Sequence, residues 1–347
     1  MSYFPYALYP YVIKPLLFSL DAEQAHDIIL RMAAFSSNPL CLKIFSQETM
    51  PCPVKMMGLT FKNPLGLAAG LDKNAEAVDF FLGLGFSHVE VGTVTPRAQD
   101  GNPKPRLYRV RAAEGIINFM GFNNKGVDNL RENLKKRRSE GIVGVSIGKN
   151  ENTPLEKALD DYLYCMDLIY DLADYVAVNI SCPNTPDLVK LQNKAHLSEL
   201  VGGLKNKQKA LCEKYHKYVP MVVKISPDLS DSMLDDLCFV CLNYEIDALT
   251  CTNTTVSRDS IYGMEFASMQ GGLSGVPLRA LSNQCLEKVK DRVGNKIPLI
   301  GVGGIDSPIA AKEKMEKGAS LIQLYTSLIY KGPELVRNIV NSIGYIG

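Results

Sequence analysis

From residue 64 onward, short apolar runs alternate with amphipathic segments, and each run ends in glycine or a polar residue. The runs cover 65–69, 88–92, 142–147, 175–180, 221–225, 248–252, 298–302 and 320–324. Runs this short, rich in β-branched residues and without polar alternation, predict strands buried on both faces, as in parallel sheets. Eight of them with helical patterns between predict a (β/α)8 barrel, the TIM-barrel architecture. Helix starts are marked at Thr153, Pro154 and Glu156, a capping box with proline at N1, and at Asp306-Ser307-Pro308, in a helix that Gly318 closes. The segment 93–140 is too long for a loop between strands two and three, which predicts extra structure there.

The first 40 residues read differently. Residues 3–20 are rich in Tyr, Phe, Leu and Pro, but Pro5, Pro10 and Pro15 interrupt the run and Lys14 sits within it. An acidic helix follows at once without a small-residue cleavage site, so the pattern is not that of a signal peptide. It is also too short to span a bilayer. Asp21 and Gln24 open that helix as a capping box, and Ala25, Ile28, Ile29, Met32 and Phe35 give it an apolar face. The division expected is a helical extension over 1–40 and a barrel over 41–347. The extension either packs on the barrel or lies on a membrane surface, and pattern alone favours packing.

Composition narrows the partners. Lys and Arg number 38 against 37 Asp and Glu, and no long basic run is present, so no field draws the chain to nucleic acid. Nine cysteines without framework spacing indicate reduced thiols, and Cys238 and Cys241, inside a helical pattern, read as core. Four histidines, none in a ligand pair, point away from a metal.

In a barrel, the C-terminal ends of the strands carry the chemistry. Those ends supply Gly70, Asp72, Lys73, Thr93, Asn179, Cys182, Lys224, Thr252, Asn253 and Thr254, then Gly303-Gly304 and Tyr325-Thr326. Glycines after strand seven and polar residues after strand eight suit a phosphate held on backbone N–H groups. The loop 271–275 (GGLSG) can approach a ligand closely on the same face. Gly301-Val302-Gly303-Gly304 lacks dinucleotide-fold spacing, and Gly148-Lys149-Asn150 is no P-loop. A phosphate-bearing flavin fits better, with Lys73 or Lys224 placed to offset the negative charge of the reduced ring. Asn118, Asn179, Asn184 and Asn253 offer donors and acceptors to a planar, pyrimidine-like molecule.

Segments 63–73 (NPLGLAAGLDK), 91–96 (VGTVTP), 118–124 (NFMGFNN), 252–255 (TNTT), 271–275, 301–306 (GVGGID) and 324–326 (LYT) together resemble the dihydroorotate dehydrogenase family over nearly the whole chain. Segment 20–26 (LDAEQAH) resembles the extension of its membrane-associated, quinone-using class, in which quinone enters between the helices and the barrel. The resemblance implies oxidation of (S)-dihydroorotate to orotate in pyrimidine (UMP) biosynthesis. It also implies FMN as cofactor, a membrane quinone as acceptor, and peripheral contact with the cytoplasmic face of the cell membrane. FMN contacts would fall to Ala69, Gly70, Leu71, Asp72, Lys73, Thr93, Ser146, Asn179, Lys224, Thr252, Gly275, Gly304, Tyr325 and Thr326. Substrate contacts would fall to Lys73, Asn118, Phe119, Met120, Gly121, Phe122, Asn179, Asn184, Asn253 and Thr254. Two positions depart from the pattern: Ser146 stands where the quinone class usually has Asn, and Cys182 stands at the catalytic base, usually Ser in that class and Cys in the soluble one. The alternatives are a soluble acceptor such as fumarate or a different reduced pyrimidine on the same fold and cofactor, a flavin-dependent tRNA reductase, or a barrel that only binds a ligand.

Overall fold

A computed structural model describes residues 6–181 and 191–344. Eight parallel strands close into a barrel. In chain order they are β1 (Leu65–Leu67), β2 (His88–Val94), β3 (Ile142–Ile147), β4 (Tyr175–Asn179), β5 (Met221–Ile225), β6 (Ala248–Cys251), β7 (Leu299–Val302) and β8 (Ala319–Leu324). Strand β8 pairs back onto β1 through Ile322 with Leu65 and Leu324 with Leu67, which completes the ring. The eight apolar runs thus become the eight staves, with ends shifted by up to two residues. The largest shifts are in β1, which stops at Leu67, and in β2, which continues through Thr93 to Val94.

The barrel interior is filled rather than open. Two glycines make room for its largest polar rings: a Cβ at Gly66 would lie 2.0 Å from the His88 ring, and one at Gly144 would lie 2.0 Å from Tyr175. A hairpin of Val54–Met56 and Leu59–Phe61 plugs the N-terminal end, where the Phe61 and His88 rings meet edge to face at 5.1 Å. The opposite, C-terminal end is therefore the accessible one.

The long segment after β2 does carry its own structure. Strands Leu107–Val110 and Gly115–Asn118 form a hairpin, and Gly272–Gly275 pairs antiparallel with the latter to make a three-stranded sheet over the barrel mouth. The start marked at Thr153 and Pro154 comes late. Buried Lys149 donates to the carbonyls of Asn150 and Thr153, residues 155–157 form a single 3-10 turn, and the α-helix begins at Ala158. At Ser307 the capping signal holds, its hydroxyl accepting from the Ala310 N–H.

The N-terminal segment folds as a π-helical turn Tyr9–Ile13 and helices Lys14–Ser19, Ala22–Phe35 and Pro39–Phe45, the last crossing the expected boundary at residue 40. It is anchored to the barrel by polar groups. Arg106 makes a two-pronged ion pair with Glu23, both nearly buried, at 2.7 and 3.1 Å. Arg109 donates to the carbonyls of Leu17 and Leu20, and Arg111 to that of Phe18, so two arginines satisfy the open C-terminal end of helix Lys14–Ser19. The extension also packs on the barrel, with Tyr6 and Ala33 joining the main core, and it encloses an apolar space beside them.

Candidate active site

The strand ends converge on a cavity with about 1130 Å³ of empty space, part of it open to solvent. Among the described residues its lining holds two lysines, Lys73 and Lys224, and no carboxylate. A site built this way suits anionic ligands.

On one wall a chain of short polar side chains crosses four strand ends. The Thr93 and Ser146 hydroxyls lie 2.9 Å apart, and Asn179 Nδ2 donates to Thr93 Oγ1 at 2.8 Å. Asn253 Nδ2 donates to Ser181 Oγ at 3.0 Å and lies 3.3 Å from Asn179 Oδ1. Each residue lies at or just past the C-terminal end of an apolar run, so the buried strands position it and its neighbours fix its rotamer. The result is a rigid row of amides and hydroxyls at the cavity wall.

Beneath the cavity sits a buried polar network. Glu90 has no exposed surface; one carboxylate oxygen accepts from Tyr175 Oη at 3.1 Å and from Gln323 Nε2 at 3.0 Å. Its other oxygen lies 3.7 Å from Lys224 Nζ, which leaves the ammonium's donors available to the cavity. Burial pushes Tyr175 well above its ordinary range, and Glu90 adds to this, so the phenol stays a donor. Burial also drives His88 down to about 3, so its ring is neutral. Ser87 Oγ donates to the Leu65 carbonyl and therefore accepts from His88 Nδ1, placing the ring proton on that nitrogen.

Lys73 lies at the other side of the mouth, under helix Ala22–Phe35. Burial lowers it to about 8, with Glu23, Asp27 and Asp72 pulling the other way. His26 projects from that helix into the same cavity, and burial, reinforced by Lys73, takes it down to about 3. A second cavity, with about 1300 Å³ of empty space, part of it open to solvent, runs beneath the helices. Its walls are apolar, including Ile13, Leu17, Ala25, Ile29 and Ala33, with Arg109 among the few polar groups. The two cavities share His26, Leu107 and Tyr325 as lining, so they adjoin there.

At the far end the walls are backbone and hydroxyls: Ser274, Gly275, Gly303, Gly304, Thr326 and Ser327. The Val302 carbonyl accepts from Ser282 Oγ at 2.5 Å and the Gly304 carbonyl from Arg279 Nε at 2.8 Å, so the glycine loop is held from outside. A Cβ at Gly304, where φ is +73°, would lie 2.4 Å from Arg279, so only glycine allows this approach. This end fits a phosphate, and the lysines and amides fit a flavin ring and a small planar anion.

Most of the residues expected at the site line the cavity: Ala69, Gly70, Lys73, Thr93, Asn118, Met120, Gly121, Phe122, Asn179, Lys224, Thr252, Asn253, Thr254, Gly275, Gly304, Tyr325 and Thr326. Four lie elsewhere. Leu71 faces the apolar cavity. Asp72 is buried, accepting from the Glu76 and Ala77 N–H groups, and burial pushes it up to about 6. Phe119 spends its N–H on the Arg106 carbonyl, and Ser146 stands behind Thr93. Cys182 and Asn184 lie outside the described residues. The sequence reading missed Gln323 and Ser327, named Ser274 only as part of the ligand-facing loop 271–275, and gave no role to Glu90. Glu90 and Gln323 are polar residues inside apolar runs, a signal only at the level of strand alternation.

This architecture defines a flavin-dependent oxidoreductase of the barrel class, with an anion-binding mouth and an adjoining apolar chamber. The family profile described as dihydroorotate dehydrogenase matches residues 52–346, and the chain belongs to that family. It is 53% identical over 328 residues to "Dihydroorotate dehydrogenase (quinone)" of Aliivibrio fischeri strain ATCC 700601 / ES114, covering 94% of this chain and 97% of that protein. The protein of the same description from Serratia proteamaculans is 51% identical over 337 residues, 96% of this chain and 99% of its own. Among solved structures, the Eimeria tenella DHODH complex with ferulenol superposes with a TM-score of 0.87 at 35% identity, covering 93% of this chain and 91% of that one. The ligand-free form from the same organism gives 0.86 at 36%, covering 93% and 94%.

Proposed function

We propose that this protein oxidises (S)-dihydroorotate to orotate, a step of pyrimidine (UMP) biosynthesis, with FMN as its flavin and a quinone as electron acceptor. The observation that carries this reading is the junction at His26, Leu107 and Tyr325 between a cationic, amide-lined mouth and an apolar chamber. Bound in the mouth, FMN would accept the hydride from C6 of the substrate and release the electrons to quinone.

The chain's own residues divide the remaining work. Gly275, Gly303, Gly304 and Thr326 would hold the phosphate, and Lys224, Thr93 and Thr252 the ring. The Lys73 ammonium pairs with the substrate carboxylate, while Asn118, Asn179, Asn184 and Asn253 match the amide edges of the pyrimidine and orient C5 and C6. Cys182 removes the C5 proton. A thiol titrates near 8.5 in model peptides, far below an alcohol, so substrate oxidation should level off at lower pH than with Ser at that position. Cys182→Ser with an unchanged pH profile would refute this role.

The N-terminal helices carry the membrane part of the reading. More than half of the exposed large apolar side chains among the described residues lie between Leu8 and Ile44, including Tyr11, Leu16, Met32, Phe35 and Leu40. No single helix among the described residues is long and apolar enough to cross a membrane. This face suits peripheral contact with the cytoplasmic side of the cell membrane, with quinone entering the chamber from the lipid.

The test is anaerobic mixing with dihydroorotate while the flavin absorbance is followed, then addition of a ubiquinone analogue or fumarate in separate runs. Bleaching followed by recovery with quinone alone is the expected result. Recovery with fumarate alone would refute the acceptor assignment, and absence of bleaching would refute the substrate.

A further inference from the structure

Lys314 is the least expected side chain in the protein. It sits on helix Pro308–Glu316 with no exposed surface, outside the cavity, and it belongs to no ion pair among the described residues. Its ammonium nitrogen lies 2.8 Å from Ser282 Oγ on helix Arg279–Val293. That hydroxyl donates to the Val302 carbonyl at 2.5 Å, at the end of β7 and immediately before Gly303-Gly304. The lysine stem fills the space a side chain at Gly301 would need, since a Cβ there would lie 2.5 Å from its Cγ. Ser282 also occupies the space beside Gly303, where a Cβ would meet its side chain at 3.0 Å.

These contacts form one line: Lys314 to Ser282, Ser282 to Val302, and Val302 to the glycine loop at the cavity. One helical turn before Ser282, Arg279 holds the Gly304 carbonyl, so the same helix grips the loop at two points and Lys314 braces one of them from behind. For packing alone a methionine would fill the groove over Gly301 without burying a polar head.

We propose that Lys314 is a positioning residue for cofactor binding: through Ser282 it fixes the backbone of the Gly303-Gly304 loop that holds the flavin's phosphate. The inference rests on the FMN reading of the cavity. Burial lowers Lys314 to about 7, with Cys251, Glu313 and Cys285 pulling upward and Arg279 downward. Those groups face it from β6, from its own helix and from helix Arg279–Val293; Glu313 is itself engaged by Asn283 Nδ2 at 2.7 Å. As pH rises through about 7 the buried ammonium loses its charge and donates more weakly to Ser282 Oγ, and the grip on the phosphate should loosen.

The experiment measures flavin release from the full-length holoenzyme by fluorescence on dilution, with FMN and, after exchange, with riboflavin, which lacks the phosphate. Lys314→Met should release FMN about five- to tenfold faster than the parent and leave riboflavin release unchanged. The acceleration of FMN release that the parent shows as pH rises above about 7 should be absent in the variant. Ser282→Ala should reproduce the effect and not add to it in the double variant, which keeps the test open should Lys314→Met fold poorly. Equal acceleration of FMN and riboflavin, or additive effects, would overturn the proposal. A parent that holds FMN no more tightly than riboflavin would overturn the phosphate assignment of the loop as well. Tighter FMN binding that neither variant alters would refute Lys314 alone.

Discussion

The two cavities adjoin at His26, Leu107 and Tyr325 and are built in opposite ways. The mouth is made by strand ends of the barrel, with buried lysines, amides and hydroxyls whose rotamers are fixed by one another. The chamber is made by laying three short helices over the barrel and anchoring them at Glu23–Arg106, Arg109 and Arg111 while the space between stays apolar. Rigidity in the first comes from the sheet, and in the second from a few polar anchors and the packing of Tyr6 and Ala33 into the core. A half-reaction that needs orientation of a small anion and one that needs entry of a lipid-soluble acceptor are thus housed in separate walls with a shared threshold.

The comparison breaks first at its anchor. Glu23→Gln leaves Arg106 as a buried, unpaired cation, and the expected loss is about 3 kcal/mol or more in stability, with loss of quinone reduction ahead of flavin bleaching. Urea unfolding and the two half-reactions measured separately check this. Burial alone would raise the Glu23 carboxyl, but Arg106 and Lys104 outweigh it and hold it below the ordinary range. Its contribution is therefore complete above the unfolded value of about 4.3 and lost as pH falls through the folded one. The parent should lose melting temperature through that acid window more steeply than Glu23→Gln.

Smaller changes separate the cavities. Lys73→Met removes the ammonium from the mouth, and kcat/KM for dihydroorotate should fall by about 10- to 100-fold, with quinone reoxidation of pre-reduced enzyme little changed. Ala33→Phe inserts a ring into the chamber and should do the reverse, slowing reoxidation about tenfold while dihydroorotate still bleaches the flavin at the parent rate. Equal loss in both half-reactions for either variant would show that the cavities do not work separately. The mildest test is pH. Lys73 loses its charge above about 8, so KM for dihydroorotate should rise by about tenfold per unit there, with KM for quinone flat.

Legibility along the chain follows the range of the interactions. The barrel strands are legible because each is a local apolar run whose burial on both faces needs no pattern beyond itself. Most mouth residues are legible for the same reason, since whatever follows such a run lies at the C-terminal rim. Asp72 misleads because it sits between two lining residues, Gly70 and Lys73, yet turns inward to the Glu76 and Ala77 N–H groups. The late helix start after Thr153 goes with Lys149 reaching forward to the Asn150 and Thr153 carbonyls, a side-chain contact that outweighs a capping pattern.

By itself the sequence determined the eight-stranded barrel, the helical extension and the set of lysines, glycines and amides at the strand ends, because periodicity and chain order are local properties. Only the tertiary structure decided that the extension encloses an apolar chamber, that Glu90 lies 3.7 Å from Lys224, and that Lys314 reaches Ser282 behind the glycine loop. Those pairs stand 134 and 32 residues apart and meet because barrel closure and helix packing set their distance; nothing in the local pattern of either partner encodes the other.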